Sequence, residues 1–455
     1  MSENLLFSEF SQLTNKEWKQ KIHADLKGAD YNETLIWESP EGIKVKPFYT
    51  AEDQNNARDI EIETGSWSIG QKIFSDDPDL INSKCAEALD QGVDSLIIAV
   101  GSESESPKNY FTGIALKDEK VFLDAAALPP EKLSLCLKDI PVEQDRLYVL
   151  HDIVGQLTAT GNWYSNLDAD FKKLEEVLVA NPGSKVVSVN ASRYQNAGAN
   201  RVQQIAYALA HAAEYLKRLD SQYLSHITFM ISVDTNYFFE IAKIKALRIL
   251  WQRLISERDA NISSHLLSFP TTRNKSIYDY NVNMLRTTTE CMSAILGGAD
   301  TIYNLPYDHI YHKDNEFANR IARNQLLILR NESYFDQVDN AAAGSYYIQH
   351  LTSEMASSAW SLYEQIQSAG GFLRQLKDHK IQKKIKESAQ KQQQAFNNGE
   401  EILVGSNKYI NEADLMTDQL QKDPFLKIER KKTLIEPILE KRLTESLEKN
   451  RLDHE

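Results

Sequence analysis

The sequence predicts an α/β protein built on a (β/α)8 barrel. Two observations carry this. Eight apolar runs of strand length follow one another at 95–100, 121–125, 147–153, 186–190, 227–233, 265–269, 301–305 and 346–348. Their continuity, rather than alternation, suits strands buried on both faces, and helix-like segments such as 201–216 between them suit parallel crossovers. A doubly wound open sheet is the structural alternative, because periodicity does not show closure.

Residues 1–74 read as an N-terminal arm. Thr14 and Glu17 have capping-box spacing, Trp18, Ile22 and Leu26 follow at four-residue intervals, and Gly28 stands at the end. Beyond this helix come turn residues and short apolar pieces such as IKVKP, too little for a separate core. The arm, with Trp18 and the Tyr49 region, is expected to lie across the main domain or wrap a partner.

The barrel is placed at 75–371. Near its end, Ala318, Ile321, Ala322, Leu326 and Leu329 recur at helical spacing. A polar turn at 336–340 and the small residues 341–344 lead to the expected strand 346–348. Thr352 is the expected cap of the next helix, with Glu354 in its first turn, and Gly370 and Gly371 stand at its end. Residues 372–455 read as a helical C-terminal extension. Its first part is rich in Lys and Gln, and Leu439, Leu443 and Leu447 suggest a narrow apolar stripe on a last helix.

Composition sets outer limits. The formal charge is -14, which offers no basic surplus for phosphates and argues against nucleic acid or an anionic membrane as partner. Three cysteines, Cys85, Cys136 and Cys291, are odd in number and lack CxxC spacing, as a reducing compartment allows. The N-terminal MSENLLFSEFSQ lacks a leader pattern and no run of about 18 apolar residues occurs, so a cytoplasmic location is expected.

FANRIARNQ at 317–325, DNAAAGSYYIQHLT at 339–352 and AWSLYEQIQSAGG at 359–371 carry a resemblance that these limits do not. So do LIWESPEGIKVKPFYT at 35–50, NYFFEIAKIKALRILW at 236–251, LRTTTECMSAILGGAD at 285–300 and GSNKY at 405–409. Together they resemble the methylmalonyl-CoA mutase family over nearly the whole chain. The resemblance supports the barrel over the open sheet. It also implies radical chemistry drawn from adenosylcobalamin.

Strand ends at the C-terminal face are where a barrel keeps its reacting groups. After strand candidate 186–190, catalytic members have a motif similar to GYHMQEAGA, whose tyrosine, histidine and glutamate surround substrate and adenosyl group. Gln195 and 197–199 match, but Ser192, Arg193 and Asn196 occupy the three functional positions. Arg193 is always a cation and cannot share a proton as histidine can. It is read as a structural ion pair or a filled mouth, with a carboxylate or phosphate site as the lesser alternative. Further on, an RTSG-like loop is shortened to Arg273, Asn274 and Lys275, while Asn283, Arg286 and Asn304 are kept. The acid expected near the adenosyl ribose is replaced around Asp308 and His309.

Other candidates read as structural. Asp308, His309 and His312 lack the HExxH helix spacing of a zinc site, so no metal is expected. Asp234 is read as a cap before a general base. Glu240, Lys243 and Arg248 are read as a solvated helix face with a supporting ion pair. Gly297 and Gly298 end a helix rather than cradle a phosphate.

The resemblance further implies a flavodoxin-like cobalamin domain with a DxHxxG motif in catalytic chains. Here Asp378 and His379 are adjacent with no glycine following at that distance, and no second set of strands is expected. The chain thus resembles a non-catalytic small (beta) subunit that stabilises a large (alpha) subunit in a heterodimer. No catalytic residue and no cofactor is expected on it; adenosylcobalamin is expected on the partner. A homodimer of the isolated chain is possible on this reading. The alternatives are the acyl-CoA half of a split mutase, and a non-enzymatic assembly protein built on the same barrel.

Overall fold

A computed structural model describes residues 13–53, 66–75, 77–101, 107–138, 140–258, 261–427 and 431–455, the side chains of Leu135 and Cys136 excepted. Eight parallel strands close into a barrel: β1 (Ser68–Ile73), β2 (Ser95–Ala99), β3 (Lys120–Asp124), β4 (Leu147–His151), β5 (Lys185–Asn190), β6 (His226–Val233), β7 (Ser263–Pro270) and β8 (Thr301–Tyr303). β8 pairs with both β7 and β1, which completes the ring and removes the open-sheet alternative.

The count of eight stands with two changes of membership. Residues 346–348 are not a strand. Ser345 accepts from the Ile348 backbone and caps a helix over Tyr346–Ser368, so Thr352 lies inside that helix instead of capping it. The missing strand is β1, inside the stretch assigned to the arm. Its sequence SIGQKI hides its pattern, because Ile69 and Ile73 face the helices while Gly70 and Lys72 turn to the barrel axis. A Cβ at Gly70 would lie 2.7 Å from the Ile97 side chain, so the strand gives up apolar bulk where the axis is crowded.

The core forms two layers. Outside the strands, apolar residues of the sheet meet the helices Arg201–Arg218, Tyr237–Ser256, Val282–Gly297 and Tyr346–Ser368. Inside, Ile97, Phe122, Tyr148, Leu150, Met230, Leu267, Phe269 and Tyr303 fill the axis. Phe122 stacks on Tyr148 with ring centres 4.5 Å apart, Tyr148 meets His265 at 4.8 Å, and Phe269 stacks on Tyr303 at 4.7 Å. The axis is therefore packed with rings rather than open.

The arm carries the expected capping box at Thr14 and Glu17, on a helix Asn15–Asp25 with no buried residue. It reaches the barrel helices through Trp37 on Phe239 and Tyr49 on Tyr347. Residues 1–12 and 54–65 lie outside the described residues.

After the barrel come helices Phe372–Lys377, Lys380–Asn397 and Glu445–Leu452. Among the described residues, 398–444 contain no α-helix and this region holds no second sheet. Leu439 and Leu443 precede the last helix, so the leucine stripe is not helical. Leu443 is buried against Phe396 and Leu403 because the chain folds back there.

That returning chain forms a strap. Leu434 and Ile435 donate to the Gly161 carbonyl at 2.9 and 3.2 Å, Ile438 donates to Thr158 at 2.8 Å, and Ile435 and Ile438 are buried. Gly161 has φ 77°, and a Cβ there would lie 2.5 Å from the Ile435 carbonyl oxygen. Gly161→Ala is expected to cost at least about 1–2 kcal/mol from the left-handed backbone alone. It should also speed amide exchange across 434–444 in a hydrogen-exchange measurement, with the strands unchanged.

Candidate site at the barrel mouth

β5 ends at Asn190 and passes into a single helical turn, Ser192–Asn196, at the C-terminal mouth. Each of Ser192, Arg193 and Asn196 has a partner. Ser192 donates to Asn190 at 2.5 Å, and Arg193 pairs with Glu440 of the strap at 2.9 Å. Asn196 donates to Glu440 at 2.8 Å and accepts from Thr271 at 2.6 Å, while the Lys441 amide donates to the Asn196 carbonyl at 3.0 Å. The strap therefore crosses the mouth and is clasped by these residues.

The shortened loop holds the other side of the strap. Arg273 donates to Gln392 at 2.6 Å and to the Lys441 carbonyl at 2.7 Å, and burial pulls its guanidinium down to about 10. Lys275 and Asn274 both bind Glu290, at 2.7 Å each, and all three are buried. Asn283 and Arg286 brace the loops: Asn283 donates to the Ser276 carbonyl, and Arg286 donates to Asn283 and to the Val404 carbonyl. Asn304 donates to Gln325 at 2.8 Å. Asp308 takes His312 and Asn315, each at 2.9 Å, and the His309 ring meets the Pro306 carbonyl at 2.7 Å.

Beside the mouth lies a charge cluster that contradicts the solvated-face reading of Glu240 and Lys243. Both are buried and pair at 2.5 Å. Arg201 joins Glu240 at 2.7 Å, Asp234 at 2.5 Å and Glu41 of the arm at 3.0 Å. Helical spacing placed these residues on one face, but that face turns inward because each charge finds an opposite one. Asp234 also accepts from the Asn236 amide at 2.9 Å; burial opposes its charge, yet Arg201 holds its pKa below the ordinary value. Arg248 pairs with Asp300 at 2.7 Å.

Sequence reasoning also passed over Asp152. It caps the helix Ile153–Thr160 and binds His211 at 2.9 Å and Tyr215 at 2.7 Å; His211 meets Tyr194 at 2.8 Å. An aspartate directly between a strand and a helix was the available signal. This relay is buried, Asp152 also borders the mouth cavity, and its second oxygen accepts from the Asn190 amide at 2.8 Å, which ties it to the turn that carries Arg193. Lys72, Asp124 and Glu440 were also missed, since nothing local marks them.

These residues enclose a cavity of about 300 Å³. Leu150, Met230, Phe269 and Tyr303 form its floor; Arg193, Glu440, Lys72 and Asp124 stand at its rim. The profile of methylmalonyl-CoA mutase matches residues 45–451, nearly the whole chain. The chain belongs to the methylmalonyl-CoA mutase family. It is 32% identical to the methylmalonyl-CoA mutase small subunit of Porphyromonas gingivalis, over 91% of this chain and 72% of that one. It is 28% identical to the small subunit of Streptomyces virginiae, over 92% and 73%, and 27% identical to the methylmalonyl-CoA mutase of Rhizobium meliloti, over 91% and 66%. The chain thus spans about two thirds to three quarters of the length of these relatives.

Adenosylcobalamin, the cofactor implied for this mutase family, does not fit the mouth. The strap crosses the mouth, and the cavity beneath it, about 300 Å³, is far smaller than the macrocycle. His309, the histidine lining the cavity, has one ring nitrogen engaged by Pro306 and the other shielded from solvent.

Proposed function

We propose that this chain is the non-catalytic small subunit of an adenosylcobalamin-dependent methylmalonyl-CoA mutase. In this reading it stabilises a large subunit that binds cofactor and acyl-CoA and interconverts methylmalonyl-CoA and succinyl-CoA. The observation that carries it is the clasp at the mouth: Ser192, Arg193 and Asn196 spend their polar groups on Asn190, Glu440 and Thr271. A group already committed to holding a strap is not free to polarise a thioester. The packed axis and the names of the small-subunit relatives support the same reading.

The arm is the proposed wrapping element. Trp18, on the arm helix, is about half exposed although it lies edge-on to Phe48, and Trp37 is similarly exposed beside Phe239. Large aromatic faces left to solvent are typical of contact surfaces.

Co-expression with a large mutase subunit tests the reading. A tag on this chain should retain that subunit one to one, with turnover in the complex and none from this chain plus adenosylcobalamin. Turnover by this chain given only a small cobalamin-binding protein would instead make this barrel the acyl-CoA half of a split enzyme.

A further inference from the structure

Tyr194 is fully buried, and its hydroxyl meets His211 Nδ1 at 2.8 Å. The other ring nitrogen, Nε2, lies 2.9 Å from Asp152. A carboxylate only accepts, so it takes the Nε2 proton and leaves Nδ1 as the acceptor of an uncharged ring. The Tyr194 hydroxyl therefore donates to His211. A buried aspartate that orients a histidine in this way prepares it to receive a proton. Tyr194 and His211 do not line the mouth cavity, so this proton path serves no molecule held there.

Two features suit the path to a proton that moves together with an electron. Burial and the Asp152 charge push the Tyr194 hydroxyl well above its ordinary pKa, so the phenolate does not form on its own. Asp152 is a buried anion, and among the described residues no lysine or arginine pairs with it. Taking an electron from the Tyr194 ring while its proton stays on His211 sets an imidazolium beside that carboxylate, and the relay passes from net negative to neutral. Either change alone would leave a charge on the buried phenol. Rings also lead outward from the relay. His211 stacks on Tyr215 at 5.7 Å, Tyr215 meets Phe171 at 5.7 Å, and Phe171 meets the partly exposed Trp163 at 6.4 Å.

We propose that Tyr194 is a redox-active tyrosine whose proton acceptor is His211. A one-electron oxidant, of the organic-radical or metal-complex class, takes an electron from the ring and is itself reduced. The Tyr194 O–H bond breaks, an N–H bond forms at His211 Nδ1, and a neutral phenoxyl radical remains. Return of the electron reverses both bond changes. This goes beyond the structural-subunit reading and does not depend on it.

The test is flash-quench oxidation of the full chain by a ruthenium(III) polypyridyl complex, read by electron paramagnetic resonance. A neutral tyrosyl radical should persist well beyond that of free tyrosine under the same flash. Tyr194→Phe should lose the long-lived signal. His211→Phe keeps the tyrosine, removes its proton acceptor and should lose the signal too, whereas Tyr215→Phe should keep it. The proposal is overturned if no long-lived radical forms, if Tyr194→Phe or His211→Phe retains it, or if Tyr215→Phe abolishes it. The unaltered chain supplies a further check that holds even if the variants do not fold. In heavy water, electron–nuclear double resonance should show an exchangeable deuteron hydrogen-bonded to the phenoxyl oxygen, and a radical without one overturns the assignment.

Discussion

Arg201→Ala should destabilise this protein by about 3–5 kcal/mol, the usual cost of removing one partner from a buried ion cluster. The guanidinium touches Glu240, Asp234 and Glu41, and the Glu240 and Glu41 side chains are fully buried. Glu41 would then lose its ion-pair partner, and Glu240 would keep only Lys243. Total stabilities of single domains run to about 5–15 kcal/mol, so the variant should be marginal. Denaturant unfolding followed by circular dichroism measures the loss. Glu41 adds a second readout: with its partner gone, amide exchange around residue 41 should rise more than exchange in the strands. A variant as stable as the parent would mean that the cluster contributes little.

Acid should weaken the fold well before ordinary carboxylates titrate. Burial lowers His151 and His265 to about 4, and His226 and His309 to about 3. An unfolded histidine titrates near about 6.5. Between these values the unfolded chain binds more protons than the folded one, so stability is full above about 6.5 and falls as pH drops toward the folded values. At pH 5 the loss is about 2 kcal/mol for each histidine, in order of magnitude. Asp152 and Asp234, held low by His211 and Arg201 against their burial, add to the loss at lower pH. Glu240 and Glu290, raised by burial, offset part of it. Thermal melts from pH 7.5 to 5 should show a steep fall, and His226→Asn should flatten it. A flat profile down to pH 5 would contradict the burial of these rings.

Much of the barrel was legible because its strands are buried on both faces and so read as continuous apolar runs. β6, with the sequence HITFMISV, is of this kind. β1 was not legible, since Gly70 and Lys72 serve a crowded axis and a polar rim, and Gln71 spends its helix-facing position on Arg323. Residues 346–348 misled in the opposite sense: YYI is rich in residues that favour strands, yet Ser345 caps it as a helix. The cap decides the element there, not the propensity.

The site was legible at one end only. Ser192, Arg193 and Asn196 stand out against a motif, so the replacement of its tyrosine, histidine and glutamate could be read directly. What they do instead could not, because Glu440 lies more than two hundred residues away in a stretch with no periodicity. Glu240 and Lys243 show the same limit. Their spacing indicates an ion pair, but burial depends on Arg201 and Glu41, which only the closed fold brings together.

The most direct test of the structural-subunit account is the number of adenosylcobalamin molecules held by the purified complex with the large subunit, read from its visible spectrum against protein concentration. The account predicts one cobalamin per pair of chains, and none retained by this chain alone. Two per pair, or one retained by this chain alone, would contradict it.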